Sequence, residues 1–195
     1  MALTYHASPQ LDPDMRADIA QMLERQWEDV RGPTPTSVQE LVDVFGGTRA
    51  VANVLGLSEK NGLRQPELWL RRERGLGGVS RPIPQARLAE LQAAADAELD
   101  KAADAQMGGP LPVTFHGEIA AQGNPNYAGY REWNKGVIRD GAPLRAFWAD
   151  MRAHAFEAAA QSFNDAMMSQ DGYAWNGGYD ATIWSVDTLG ITFPT

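Results

Sequence analysis

The fold of the N-terminal part of this chain is decided by one stretch, Gly47-Thr48-Arg49-Ala50-Val51-Ala52-Asn53-Val54-Leu55-Gly56-Leu57-Ser58. Apolar residues recur at helical spacing over Arg49–Leu55, and Thr48 stands where a helix cap is expected. In a helix-turn-helix a small residue faces the partner helix, and a glycine permits the sharp bend between the two helices. Ala52 and Gly56 occupy those places. The stretch therefore predicts the supporting helix and the turn of a helix-turn-helix.

Positive charge is concentrated in and after this stretch. Residues 47–91 contain 8 basic and 4 acidic residues, whereas residues 1–46 contain 3 and 8, and residues 92–195 contain 6 and 13. The whole chain carries a formal charge of −8. A basic region attracts a phosphate backbone, and an acidic remainder repels unspecific contact with it. Together with the helix-turn-helix pattern, this distribution predicts binding to double-stranded DNA.

The segment after the turn departs from the usual pattern, because Gly62 stands where a buried apolar residue is expected. Two interpretations remain open. In the preferred one, Glu59–Gln65 lengthens the turn and the recognition helix is Pro66–Arg74, since proline suits the first position of a helix. In the other, the recognition helix is one short piece, Ser58–Arg64.

The candidate DNA contacts follow from the preferred interpretation, with Leu68 and either Trp69 or Leu70 facing inward. Arginine makes bidentate contacts to guanine edges and also clamps phosphates, and side-chain amides pair with adenine. The predicted base readers are Asn61, Arg64 and Gln65. The predicted phosphate contacts are Arg49, Arg71, Arg72, Arg74 and Arg81, and Lys60 belongs to the same DNA-binding set.

The remaining elements are predicted from periodicity and from breaks at glycine and proline. Helices are expected at Asp12–Val30, from a cap at Thr36 or Ser37 to Gly46, at Gln85–Ala105 and at Pro143–Ser169. A strand is expected at Leu111–Ala121, a loop at 122–130, and one strand or a hairpin bent at Gly190 over Ala181–Phe193. The predicted fold class is therefore α+β. A helical helix-turn-helix module with a connector helix at 1–107 precedes a small strand–helix–strand module at 108–195 for dimerisation or partner binding.

The composition argues against several classes of protein. The chain has no cysteine, which excludes disulfides, a thiolate nucleophile and a cysteine-based zinc site. It contains neither of the glycine-rich phosphate loops GxGxxG and GxxxxGK[ST], so we expect no cofactor. It has no long apolar run and no secretory leader pattern, so we expect a cytoplasmic protein without a membrane partner.

Two histidine pairs are the candidates for metal chemistry. His116-x-Glu118 is expected on one face of a strand, and His154-x-x-Glu157 on one face of a helix. Such groups can chelate a divalent cation. Neither spacing is diagnostic and HExxH is absent, so we expect ordinary surface or core histidines and no metal site.

The order of these features resembles the terminal proteins of linear streptomycete replicons. The resemblance is carried by Gly47–Ser58, by Arg81-Pro82 and by Ala181–Phe193. It implies a helix-turn-helix, a basic segment and a strand–helix–strand C-terminal part. Members of this family prime DNA synthesis through a side-chain hydroxyl. Thr114, Tyr127 and Tyr130 are hydroxyls in the comparable region, and no motif selects one of them as a priming residue.

The predicted function is sequence-specific DNA binding in a phage, plasmid or linear replicon, as a terminal-protein-like protein or a regulator. Expected partners are double-stranded DNA and either a second copy of the chain or a replicon or phage protein. The alternative is a structural or interaction protein of a phage or plasmid, favoured by the acidic, tryptophan-rich C-terminal part. A third hypothesis is an enzyme, either metal-dependent or a hydroxyl acceptor in protein priming.

Overall fold

A computed structural model describes residues 10–57, 64–76, 82–121, 129–139, 141–169 and 181–193. The chain is mixed α+β, as predicted, with most of its helices before the strands. The helices are α1 (Pro13–Arg31), α2 (Val38–Phe45), α3 (Thr48–Val54), α4 (Arg64–Glu73), α5 (Gln85–Ala105), α6 (Ala142–Arg152) and α7 (Phe156–Met168). The strands are β1 (Leu111–Ala121), β2 (Gly129–Ile138) and β3 (Ala181–Ile191).

Contacts divide the chain into two compact units. The helical unit is Arg31–Ala103, and the mixed unit combines Met1–Val30 with Asp104–Thr195. The predicted boundary between residues 107 and 108 lies close to the end of the helical unit at Ala103. Most of α1, however, belongs to the same unit as the C-terminal residues and not to the unit of the helices that follow it. That the units act as separate modules stays a prediction.

The helical unit is built around one apolar core. Eight residues of α2, α3, α4, α5 and their connections are buried in it: Val38, Leu41, Val42, Val51, Leu55, Trp69, Leu91 and Ala95. Full burial of a large apolar side chain contributes about 1.5–3 kcal/mol. This shared core therefore fixes α4 against α2 and α3.

A capping box begins α2, and of the two expected caps, Thr36 and Ser37, it is Ser37 that caps the helix. The Ser37 hydroxyl accepts from the Glu40 backbone N–H at 3.1 Å. In return, the Glu40 carboxylate accepts from the backbone N–H groups of Thr36 at 2.7 Å and Ser37 at 3.0 Å, and these bonds lower the pKa of Glu40. The expected cap of α3 is wrong, because Gly47 is the cap and Thr48 is already helical.

The mixed unit contains an antiparallel sheet with strand order β2-β1-β3. One face of the sheet is buried, with Phe115, Ile119 and Ile183 among its fully covered residues. The rings of Phe147 on α6 and Phe163 on α7 lie 5.9 Å apart in the same unit and are also fully buried. The core of the mixed unit therefore lies on one side of the sheet.

Two expectations for this unit are wrong. Gly129 and Tyr130 were expected in a loop but begin β2, which the sequence did not predict; residues 122–128 lie outside the described residues. The helix expected at Pro143–Ser169 is two helices, α6 and α7, separated at a turn where His154 has φ +53°. Of the two alternatives for Ala181–Phe193, the single strand is confirmed over Ala181–Ile191, and the hairpin is not formed.

The outer edge of β3 is covered by two side-chain amides. Gln26 of α1 donates to the Leu189 carbonyl at 2.9 Å and accepts from the Ile191 N–H at 2.6 Å. Asn164 of α7 is fully buried and accepts from the Ile183 N–H at 3.0 Å. Because a bare strand edge exposes unpaired backbone groups, these amides both satisfy β3 and attach α1 and α7 to it.

Over the residues that the structure describes, no helix is both long enough and apolar enough to cross a bilayer.

Candidate nucleic-acid interface

Helix α4 corresponds to the recognition helix of the preferred interpretation. It covers Arg64–Glu73, so it begins two residues before the expected Pro66, which is its third residue. The competing helix Ser58–Arg64 falls mostly on residues 58–63, outside the described part of the chain, and Arg64 itself belongs to α4. A helix therefore stands where the lengthened-turn interpretation places it.

One side of α4 is packed into the helical unit. Pro66 and Trp69 are buried, and Leu70 packs against the same apolar core. These positions lie on one side of a helix with 3.6 residues per turn. Leu68, expected to face inward, is half-buried.

The opposite side of α4 carries arginines. Arg64 and Arg71 are exposed and seven residues apart, which places them on the same side about 10 Å apart along the axis. Arg72 and Gln65 are also exposed and flank this side. The fold thus gathers four of the predicted DNA-contacting residues on the solvent side of one helix.

The C-terminal end of α4 is fixed to the start of α2. The Glu73 carboxylate accepts from the Val38 N–H at 2.7 Å and from the Gln39 N–H at 3.4 Å. A carboxylate there also interacts favourably with the positive end of the α2 dipole. Arg74 donates to the Gln39 side chain, so part of its guanidinium is engaged within the protein. This role of Glu73 could not be predicted from the sequence, since no local pattern relates positions 35 residues apart.

The rest of the predicted DNA-binding set is partly described. Arg49 on α3 is exposed, and so is Arg74 just after α4. Lys60, Asn61 and Arg81 lie outside the described residues. Each predicted contact that the structure describes therefore lies on the surface of the helical unit.

The charge of α4 is positive on balance. Arg64, Arg71 and Arg72 oppose Glu67 and Glu73 within the helix. Because Glu73 binds the start of α2, its charge is directed away from the arginine side and toward the α2 N–H groups. Glu67 is exposed on the arginine side, three residues after Arg64 and four before Arg71, and it offsets one of the three arginines. A groove lined with phosphates would therefore still meet a net cationic surface.

The two histidine pairs do not form a joint site. His116 lies on β1, with its Nε2 2.7 Å from Asn134 Oδ1. The expectation that His154 and Glu157 share a helix face is wrong, because His154 lies in the turn before α7 and its ring packs on Trp27 with centroids 4.3 Å apart. Among the residues described, no three His, Cys, Asp or Glu side chains come together as metal ligands would.

The hydroxyl candidates differ in their surroundings. Thr114 is half-buried on β1, and Tyr127 lies outside the described residues. Tyr130 on β2 is exposed, but its hydrogen bond to Asp187 raises the pKa of the phenol. A raised pKa lowers the phenolate fraction that a nucleophile needs, and the neighbouring carboxylates would repel an incoming phosphate.

No protein-family model, curated protein or solved structure matches this chain. Its functional interpretation depends on its own residues, and the most distinctive of these are the arginines opposite the buried side of α4.

Proposed function

We propose that the chain is a sequence-specific double-stranded DNA-binding protein that places α4 in a groove of the duplex. One observation carries the proposal. Helix α4 buries Trp69 and packs the partly buried Leu70 against the helical unit, while Arg64, Arg71 and Arg72 lie on its solvent side.

The dimensions and chemistry of α4 suit this role. An α-helix with its side chains is about 10–12 Å across and fits the major groove, which is about 12 Å wide. Arginines on the groove-facing side can bind guanine edges or phosphates. Arg49 on α3 would contact the backbone, as the first helix of a helix-turn-helix does.

The natural target is proposed to be DNA of a linear replicon, plasmid or phage. The resemblance of Gly47–Ser58 to the terminal proteins of linear streptomycete replicons supports this choice. Within the proposal, residues 108–195 dimerise or recruit a replicon or phage protein.

The test is fluorescence anisotropy of the full chain with duplex fragments of its own genome over a range of salt concentrations. Binding to a subset of fragments is expected, with an affinity that falls steeply as salt rises. Arg71→Ala and Arg64→Ala should weaken binding, and loss of one phosphate contact should reduce the slope of log K against log salt by about 1.

Arg25→Ala is the matched control, because Arg25 is exposed on α1 in the mixed unit and its loss changes the net charge equally. It should leave affinity nearly unchanged. Absence of any bound fragment at low salt would refute the proposal, and so would an Arg25→Ala defect as large as that of Arg71→Ala.

A further inference from the structure

The second face of the sheet in the mixed unit is open to solvent. Side chains on this open sheet face come from all three strands: Glu118 of β1, Tyr130, Glu132 and Val137 of β2, and Trp184 and Asp187 of β3. The other face of the same strands is buried, with Phe115 and Ile119 fully covered. The two faces therefore differ sharply in their environment.

Large apolar groups are exposed on the open sheet face. Trp184 is 67% exposed, Tyr130 47% and Val137 44%. Trp27, Trp69 and Trp148, by contrast, are at most 8% exposed. Exposed tryptophan and tyrosine are enriched where proteins bind partners, because their large rings gain contact area at little cost in conformational entropy.

The two aromatic residues flank a carboxylate. Glu118 on the central strand pairs with Tyr130 on one side and with Ser185, the neighbour of Trp184, on the other. Because adjacent strands are about 4.8 Å apart, the two rings stand on strands separated by roughly 10 Å. Glu118 therefore lies between two aromatic residues, Tyr130 on β2 and Trp184 on β3.

The open sheet face is also acidic. Glu118, Glu132 and Asp187 are exposed, and the Asp187 carboxylate accepts from the Tyr130 hydroxyl. Within the described side chains of β1, β2 and β3, none on this face belongs to a lysine or an arginine; the exposed Arg139 follows the end of β2. Such a surface repels phosphate and attracts cations.

We propose that the open sheet face docks an arginine-rich segment of a partner protein. A guanidinium stacks on an exposed indole such as Trp184 and binds carboxylates through two parallel N–H bonds, so arginine satisfies both features of the face. Lysine offers only a point charge and fits less well. This proposal does not depend on DNA binding, which concerns α4 in the other unit.

The experiment titrates the full chain with a short fluorescent peptide of alternating arginine and glycine, and with lysine and glutamate versions of equal length. The arginine peptide should bind best and the glutamate peptide not at all. Trp184→Ala should weaken arginine-peptide binding about two- to fivefold, the value of one exposed cation–π contact. Glu118→Gln should also weaken it, while circular dichroism shows both variants folded.

Glu28→Gln is the matched control, since Glu28 is exposed on α1 of the same unit and its substitution removes one negative charge away from the sheet. Equal losses in Glu28→Gln and Glu118→Gln would overturn the proposal by showing unspecific charge attraction. Unchanged binding by Trp184→Ala would overturn it as well. If the chain self-associates and Trp184→Ala abolishes this association, the occupant of the open sheet face is a second copy of the chain and the proposal is wrong. If Trp184→Ala abolishes duplex binding, the occupant is DNA and the proposal is also wrong.

Discussion

The bond between Glu73 and the start of α2 gives the sharpest test of how the candidate interface is positioned. Glu73→Ala removes the carboxylate that accepts from the Val38 N–H at 2.7 Å and from the Gln39 N–H at 3.4 Å. Glu73→Gln keeps one oxygen acceptor but removes the charge. Both variants leave Trp69 and Leu70 in place to hold α4 in the core.

The expected magnitudes follow from these distances. The short, half-buried bond to Val38 resembles a helix cap, whose loss costs about 0.5–2 kcal/mol, while the long and exposed bond to Gln39 adds little. We therefore expect Glu73→Ala to lower the local stability by about 1–2 kcal/mol. Glu73→Gln should cost about 0.3–1 kcal/mol, the value of a charge at a helix N-terminus.

Amide hydrogen exchange followed by mass spectrometry measures this change where it arises. Because about 1.4 kcal/mol corresponds to a tenfold change in an equilibrium, exchange of the amides at the start of α2 should quicken roughly 5–30-fold in Glu73→Ala. Glu73→Gln should show a smaller increase. Exchange in β1 and β3 of the mixed unit should not change.

Glu67→Ala is the control, because Glu67 is exposed on the same helix. The reasoning is refuted if α2 exchanges at the parental rate in Glu73→Ala, or if Glu67→Ala quickens it as much. Since Glu73 fixes the end of α4, Glu73→Ala should also weaken DNA binding although it makes the chain more positive. Tighter binding would show that net charge alone determines affinity.

Two further predictions concern the mixed unit. Gln26→Leu leaves the Leu189 carbonyl and the Ile191 N–H without their amide partner, so β3 should lose about 2–4 kcal/mol of local stability. This loss is measured as faster hydrogen exchange of the β3 amides. Gln21→Leu, at an exposed position of α1, should leave that exchange unchanged. Burial raises the pKa of Asp165, so its charged form is disfavoured in the folded state and its protonated form is favoured. The folded state is therefore penalised as pH rises through that raised pKa, and Asp165→Asn should raise the melting temperature at about pH 7 but not at about pH 3, below the usual aspartate pKa. An equal effect at both pH values would contradict the assignment.

Much of the helical unit could be predicted from local sequence because its signals are local. The Ser37 cap and Glu40 lie three residues apart, and α5 has the predicted bounds Gln85–Ala105. The bond from Glu73 to Val38 could not be predicted, because only the tertiary fold brings these positions together.

The mixed unit was harder to predict for two physical reasons. Strand β2 has no regular apolar alternation, because two of its exposed residues, Tyr130 and Val137, are large and hydrophobic. The break between α6 and α7 falls at Ala153-His154-Ala155, which contains neither glycine nor proline. Alanine has the highest helix propensity, so the sequence favours one continuous helix where the chain turns at the positive φ of His154.

The arginine side of α4 could be predicted only in part. The inward position of Trp69 and the exposure of Arg71 follow from helical periodicity once the helix is assumed. The start of that helix at Arg64 does not, because proline is also tolerated later in the first turn and so does not fix the first residue of the helix.

The claim that α4 lies against DNA can be measured directly because the natural chain contains no cysteine. Glu67→Cys on α4 and Glu28→Cys on α1 each create a single attachment point for an iron chelate that cleaves nearby DNA. On a bound duplex, the chelate at position 67 should cut within a short, defined window, and the chelate at position 28 should cut weakly or not at all. Strong cutting from position 28 with none from position 67 would contradict the placement of α4 in the groove.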